Sequence, residues 1–158
     1  MDDIHLTRAG WNSQRPQALV IACSDGRLQE HLDDFLNQGL GITHYDRLYV
    51  PGGAGALAFS GVELIRPDQV RQECRFLLTA HAIRHLYLIF HGPADDGPEE
   101  ALCGDYRRKL PWASVAEVRQ QQAADAVELK RISWGPEVRV HTYRCEVRGD
   151  NRIQFVSV

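Results

Sequence analysis

The chain of 158 residues has no excess of basic charge: 18 Lys and Arg against 21 Asp and Glu leave a formal net charge of −3. That excludes the cationic footprint through which proteins hold nucleic acid. No apolar run approaches the ~20 residues of a membrane span. The opening Met1-Asp2-Asp3-Ile4-His5 lacks the basic and apolar regions of a secretory signal, so the cytoplasm is the expected compartment. There are only four cysteines, Cys23, Cys74, Cys103 and Cys145, spaced too widely for a disulfide scaffold. In such a chain they read as thiols or metal ligands. Internal repeats, low-complexity tracts and linkers are also missing, and 44% hydrophobic residues are enough to bury one core.

What is present begins at Ala18. Residues 1–16 are polar apart from Trp11 and read as an N-terminal arm, leaving 17–158 as a single domain. Ala18-Leu19-Val20-Ile21-Ala22-Cys23 is apolar, short and followed by a turn over Ser24–Gly26, the pattern of a buried parallel strand. Leu28, Leu32, Phe35 and Leu36 mark a helix that Gly39 and Gly41 end. A second strand over 45–50 runs into Pro51-Gly52-Gly53-Ala54-Gly55, which reads as a tight turn; it has neither dinucleotide-fingerprint spacing nor a P-loop lysine. Pro67 suits the first position of the next helix, with Cys74 on its inner face. Leu86 to Phe90 reads as a third strand ending at His91, and Pro98-Glu99-Glu100 as the first turn of a helix carrying Cys103. Ser114 and Glu117 form a capping box for a helix to about Lys130. Two strand-like runs joined at Gly149-Asp150-Asn151 predict a C-terminal hairpin, with Cys145 packed in the first. The fold class is therefore α/β, a mostly parallel sheet of about four to five strands with helices on both faces.

The chemistry-bearing residues stand at strand ends. Cys23, Asp25 and Arg27 stand at the C-terminal end of the first strand, and His91 at that of the third. In open α/β sheets ligands bind at the carboxyl ends of strands. With the first and third strands adjacent, Cys23 and His91 meet, and Cys103 folds back onto them. Two thiolates and an imidazole leave one tetrahedral position open, as in catalytic zinc sites; Asp25 is the candidate to close it. The same residues also suit a buried strand cysteine and a turn salt bridge.

In Cys23-Ser24-Asp25-Gly26-Arg27, followed by His91 and Cys103-Gly104, the sequence resembles the β-class carbonic anhydrases. That family carries a Cys-x-Asp-x-Arg motif and a His-x-x-Cys-Gly motif. The first is matched fully. The second is matched in residue type and order, but eleven residues, 92–102, separate His91 from Cys103 where the family has two. Asp95 or Asp96 in that stretch could replace Cys103 as ligand. The family's Arg-Asn stretch is replaced by Val50-Pro51-Gly52-Gly53-Ala54.

The resemblance, covering roughly 18–158, implies Zn²⁺ as cofactor, held by Cys23, His91 and Cys103. It implies hydration of carbon dioxide to bicarbonate, and a homodimer or higher homo-oligomer. Asp25 would orient the attacking oxygen and Arg27 would hold Asp25 ionised; His31 or His44 could shuttle protons. Two thiolates should acidify water less than three histidines, whose benchmark pKa is about 7. The altered stretches leave two other outcomes: hydrolysis of carbonyl sulfide or carbon disulfide, or a zinc-binding relative without activity.

Overall fold

The computed structural model describes residues 4–62 and 65–158. Five strands form one sheet: β1 (Ala18–Ala22), β2 (Tyr45–Tyr49), β3 (His85–Pro93), β4 (Arg139–Val147) and β5 (Ile153–Ser157), in the order β2-β1-β3-β4-β5. The first four are parallel and only β5 runs antiparallel, as the hairpin signal implied. Helix α1 (Gln29–Asp34) continues into a π turn over Phe35–Gly39. Helices α2 (Ile65–Ala80), α3 (Gly104–Lys109) and α4 (Val115–Arg131) follow. None among the described residues is long and apolar enough to cross a membrane.

Side chains alternate along β1, so each face of the sheet has its own core. Val20 and Ala22 pack with Leu28, Leu32 and Leu36 on one face. Leu19 and Ile21 join Leu86, Leu88 and Phe90 against Cys74, Leu78, Val118, Ala126 and Leu129 on the other. Cys74 and Cys145 are buried within these cores. Residues 4–17 form no helix or strand, and Trp11 lies exposed.

Three local expectations change. The third strand is longer than its apolar run, because β4 pairs with it from His85 through Pro93; His91 thus lies inside the strand. Pro67 sits buried within the first turn of α2, not at its first position. Pro98–Glu100 does not open the helix that carries Cys103. Glu99–Ala101 closes as a separate 3₁₀ turn, and α3 starts after Cys103. The capping box at Ser114 and Glu117 forms as the spacing predicts.

The strand order fixes where a ligand can sit. From β1 the chain moves to β2 on one side, then crosses to β3 on the other. The carboxyl ends of β1 and β3 therefore flank the crevice where the winding reverses.

Candidate metal centre

Cys23 is the first residue after β1, and its backbone is fixed before its side chain is used. Val50 N–H donates to the Ala22 carbonyl and Ser24 N–H to the Val50 carbonyl, both at 3.1 Å. Gln29 Nε2 donates to the carbonyls of Cys23 and Asp25 at 3.1 and 3.2 Å. Gly53 presses against the same strand end. A β-carbon there would lie 2.6 Å from Cys23 N and 2.7 Å from the Ile89 carbonyl, and its φ is +53°. Only glycine fits that close approach. The Gly-rich loop is thus a tight turn packed behind the site, as its spacing implied.

His91 and Cys103 reach the same point, from β3 and from the residue preceding α3. The ligand atoms of Cys23, His91 and Cys103 lie within 4.8 Å of one another. Cys103 is fully buried, His91 is 5% exposed, and Cys23 is half-buried. Among the described residues His91 Nε2 has no hydrogen-bond partner, and it is buried, a costly state for a polar atom. The Cys23 thiol is drawn down to about 4, chiefly by a hydrogen bond from the Cys103 thiol, with His91 adding to it. Cys103 is pushed far above its ordinary value by Cys23 and by burial. The hydrogen bond between the two sulfurs favours a thiolate at Cys23 with the proton toward Cys103. A partnerless imidazole nitrogen beside a thiol–thiolate pair fits a soft or borderline divalent cation, which would ionise both sulfurs.

Asp25 and Arg27 form a second unit beside this cluster. Arg27 Nε lies 3.0 Å from Asp25 Oδ1 and Nη2 lies 2.7 Å from Oδ2, a bidentate pair, while Arg27 N–H also donates to Oδ1 at 3.0 Å. That side-chain hydrogen bond, above all, holds the Asp25 carboxyl below its ordinary value. The carboxylate is not part of the three-ligand cluster. Asp95 and Asp96 also lie outside it: both are exposed, and Asp95 pairs with Arg119. His31 is exposed, and His44 Nε2 is engaged with the Gln14 carbonyl at 2.6 Å.

Two contributors escape sequence reasoning. Asp105 is buried, with Oδ1 taking Arg66 Nη1 at 3.1 Å and Arg108 Nε at 2.7 Å. Its carboxylate would meet a β-carbon on Gly52 at 2.2 Å. Arg66 also donates to the Pro51 carbonyl at 2.5 Å. A guanidinium from α2 therefore reaches the loop that lacks side-chain donors of its own. Nothing in local spacing marks either residue. The assembled cleft measures about 460 Å³, with Asp25, Arg27, His91, Leu102 and Arg107 among its walls.

No family model matches the sequence, and no curated protein matches it by sequence. Solved structures do. The β-carbonic anhydrase isoform I of Trichomonas vaginalis superposes with a TM-score of 0.50 at 11% identity, over 97% of this chain and 88% of that one. The β-carbonic anhydrase CcaA gives 0.50 at 14% identity, over 92% and 85%. The chain has the β-carbonic anhydrase fold. A carbon disulfide hydrolase in its apo form matches with a TM-score of 0.49 at 13% identity, over 89% and 78%. At these identities the likeness is one of fold, and a β-carbonic anhydrase fold hosts chemistry only through its site residues.

Proposed function

We propose that the protein is a zinc-dependent lyase that reversibly hydrates carbon dioxide to bicarbonate. The observation that carries this reading is the Cys23–His91–Cys103 cluster standing beside an Asp25–Arg27 pair that is outside it. Three protein ligands with a free fourth position are what a catalytic zinc requires, whereas a structural site is closed by four.

Cys23, His91 and Cys103 would hold the ion, the two sulfurs as thiolates. When bound, zinc supplies the Lewis acidity that makes water a nucleophile near neutral pH. Asp25, kept ionised by Arg27, accepts a hydrogen bond from the attacking oxygen and turns its lone pair toward the carbon of carbon dioxide. Because Arg27 grips both Asp25 oxygens, that acceptor is already oriented before substrate arrives. Leu102 gives the apolar substrate an apolar wall. Arg107, whose guanidinium donates to the Glu99 carbonyl, leaves positive charge on the wall where the bicarbonate anion departs. The reading includes an arm over 1–16, one metal-binding domain over 17–158 and a cytoplasmic homodimer.

Stopped-flow hydration of carbon dioxide by zinc-loaded protein tests it, with carbonyl sulfide and carbon disulfide assayed alongside. Hydration that rises with pH and collapses in Asp25→Asn is expected. Hydrolysis of the sulfur compounds without hydration would transfer the site to them; zinc uptake with neither reaction would make the metal structural.

A further inference from the structure

Where a histidine and a cysteine ligand lie three residues apart, the chain itself keeps them together. Here residues 92–102 intervene, and a longer connection constrains its ends less. The chain alone therefore holds His91 and Cys103 together less firmly, and contacts with other elements have more of their relative position to fix.

A buried polar brace runs behind His91 from α4 to the hairpin. Gln122 Nε2 donates to the His91 carbonyl at 2.9 Å, and Arg144 Nε donates to Gln122 Oε1 at 2.8 Å. Arg144 Nη1 donates to Glu146 Oε1 at 2.5 Å, and that carboxylate also accepts from Arg119 Nη2 at 2.8 Å and Gln154 Nε2 at 2.7 Å. Gln122, Arg144 and Glu146 are each 1% exposed. The brace is also joined to the long connection. Arg119 pairs with Asp95, Ala94 N–H donates to the Val147 carbonyl at 2.8 Å, and a β-carbon on Gly92 would lie 2.6 Å from Arg144 Nη2.

Stability alone is a poor reason for this construction. Replacing a buried ion pair by well-packed apolar residues is often neutral or favourable. Gln122, moreover, is one of two polar residues, with Asp125, buried among Val118, Ala126 and Leu129 on α4. Its amide spans the gap between Arg144 and the backbone of a candidate ligand.

We infer that Gln122, Arg144, Glu146 and Arg119 are positioning residues for His91, supplying through α4 and β4 the constraint that a short ligand spacing supplies through the chain. The inference rests on the reading of Cys23, His91 and Cys103 as a metal centre. Partners bonded to a ligand's own side chain typically change metal affinity by about 10–100-fold when removed; a brace on the ligand's backbone carbonyl acts at the lower end of that range.

Cobalt(II) titrated into metal-free protein gives an affinity, by competition with a chromophoric chelator, and a ligand-field spectrum. Gln122→Met keeps the side-chain length and loses both hydrogen bonds; Arg119→Gln cuts the brace at its exposed end and guards against a Gln122 variant that does not fold. Gln122→Met should bind cobalt about 10-fold more weakly with altered band intensities, and Arg119→Gln should shift both in the same direction. A structural role alone would lower the melting temperature and leave affinity and spectrum unchanged, and that result in the folded variants overturns the inference. Wild-type protein that takes up no cobalt overturns the metal-centre reading and the brace with it. Wild-type uptake with unchanged variants overturns the brace alone.

Discussion

Gly53→Ala is the sharpest test of how the Cys23 strand end is built. The added β-carbon would stand 2.6 Å from Cys23 N, 2.7 Å from the Ile89 carbonyl oxygen and 2.8 Å from the Ala22 carbonyl carbon. All three are backbone atoms of β1, β3 or the turn that follows, held in the sheet ladder, so no side chain can swing aside. The residue also has φ +53°, which costs an L-residue about 1–2 kcal/mol. Overpacking of a rigid interior adds about 1–3 kcal/mol. The sum, about 2–5 kcal/mol, is a large part of the ~5–15 kcal/mol that holds an ordinary domain folded. Gly104, beside Cys103, is the control. A β-carbon there meets nothing within 4 Å, and it lies in the first turn of α3, so Gly104→Ala should be neutral or stabilising by up to about 1 kcal/mol. Urea unfolding of the metal-free proteins measures both. A Gly53→Ala loss below about 1 kcal/mol would refute the packing argument.

Asp25→Asn should keep its metal and lose about 10²–10³-fold in hydration rate, the usual scale for removing an oriented polar group at a reacting atom; unchanged turnover would remove Asp25 from the mechanism. Because Arg27 depresses the Asp25 carboxyl, their pairing stabilises the fold above the unfolded carboxyl's pKa and is lost as pH falls through the lower folded one. Melting temperatures of wild type and Arg27→Met should therefore converge in acid, and a constant gap would contradict the pairing. In metal-free protein, iodoacetamide should modify Cys23 first, at a rate nearly flat from pH 6 to 8, because its thiol lies at about 4. Cys74 and Cys145, both pushed up to about 12 by burial, should stay unmodified; a Cys23 rate rising tenfold per pH unit would argue against the thiolate. Asp125, buried and accepting from Ser60 Oγ at 2.8 Å and Tyr106 Oη at 2.5 Å, should cost about 2–4 kcal/mol on Asp125→Ala by leaving those donors without their acceptor, as read by urea unfolding.

The sheet was legible because its strands announce themselves by periodicity. Val20 and Leu19 face opposite cores, and an apolar strand with a helix on either side has few other places to go. Cys23, Asp25 and Arg27 were legible for the same reason: they stand at the carboxyl end of a fully buried strand, where ligands bind in open α/β sheets. His91 was legible as a residue at a strand end but not as a position inside the strand, since the apolar run stops at Phe90 and it is the pairing with β4 that keeps Gly92 and Pro93 extended. The 92–102 connection hid more. Its acidic residues look like ligands in sequence, yet Asp95 turns outward to Arg119, while the carboxylate packed against the site wall is Asp105. Gln122 and Arg144 were invisible because their meeting depends on β4 lying beside β3, a tertiary fact that no local pattern encodes.

The most direct test is the metal itself. X-ray absorption and elemental analysis of purified, zinc-loaded protein should find about one zinc per chain, with two sulfur ligands at about 2.3 Å, one imidazole nitrogen and an exchangeable light-atom ligand. Cys23→Ser should lose that zinc. A folded protein with no affinity for zinc, or a zinc bound with a sulfur count other than two, would contradict the account.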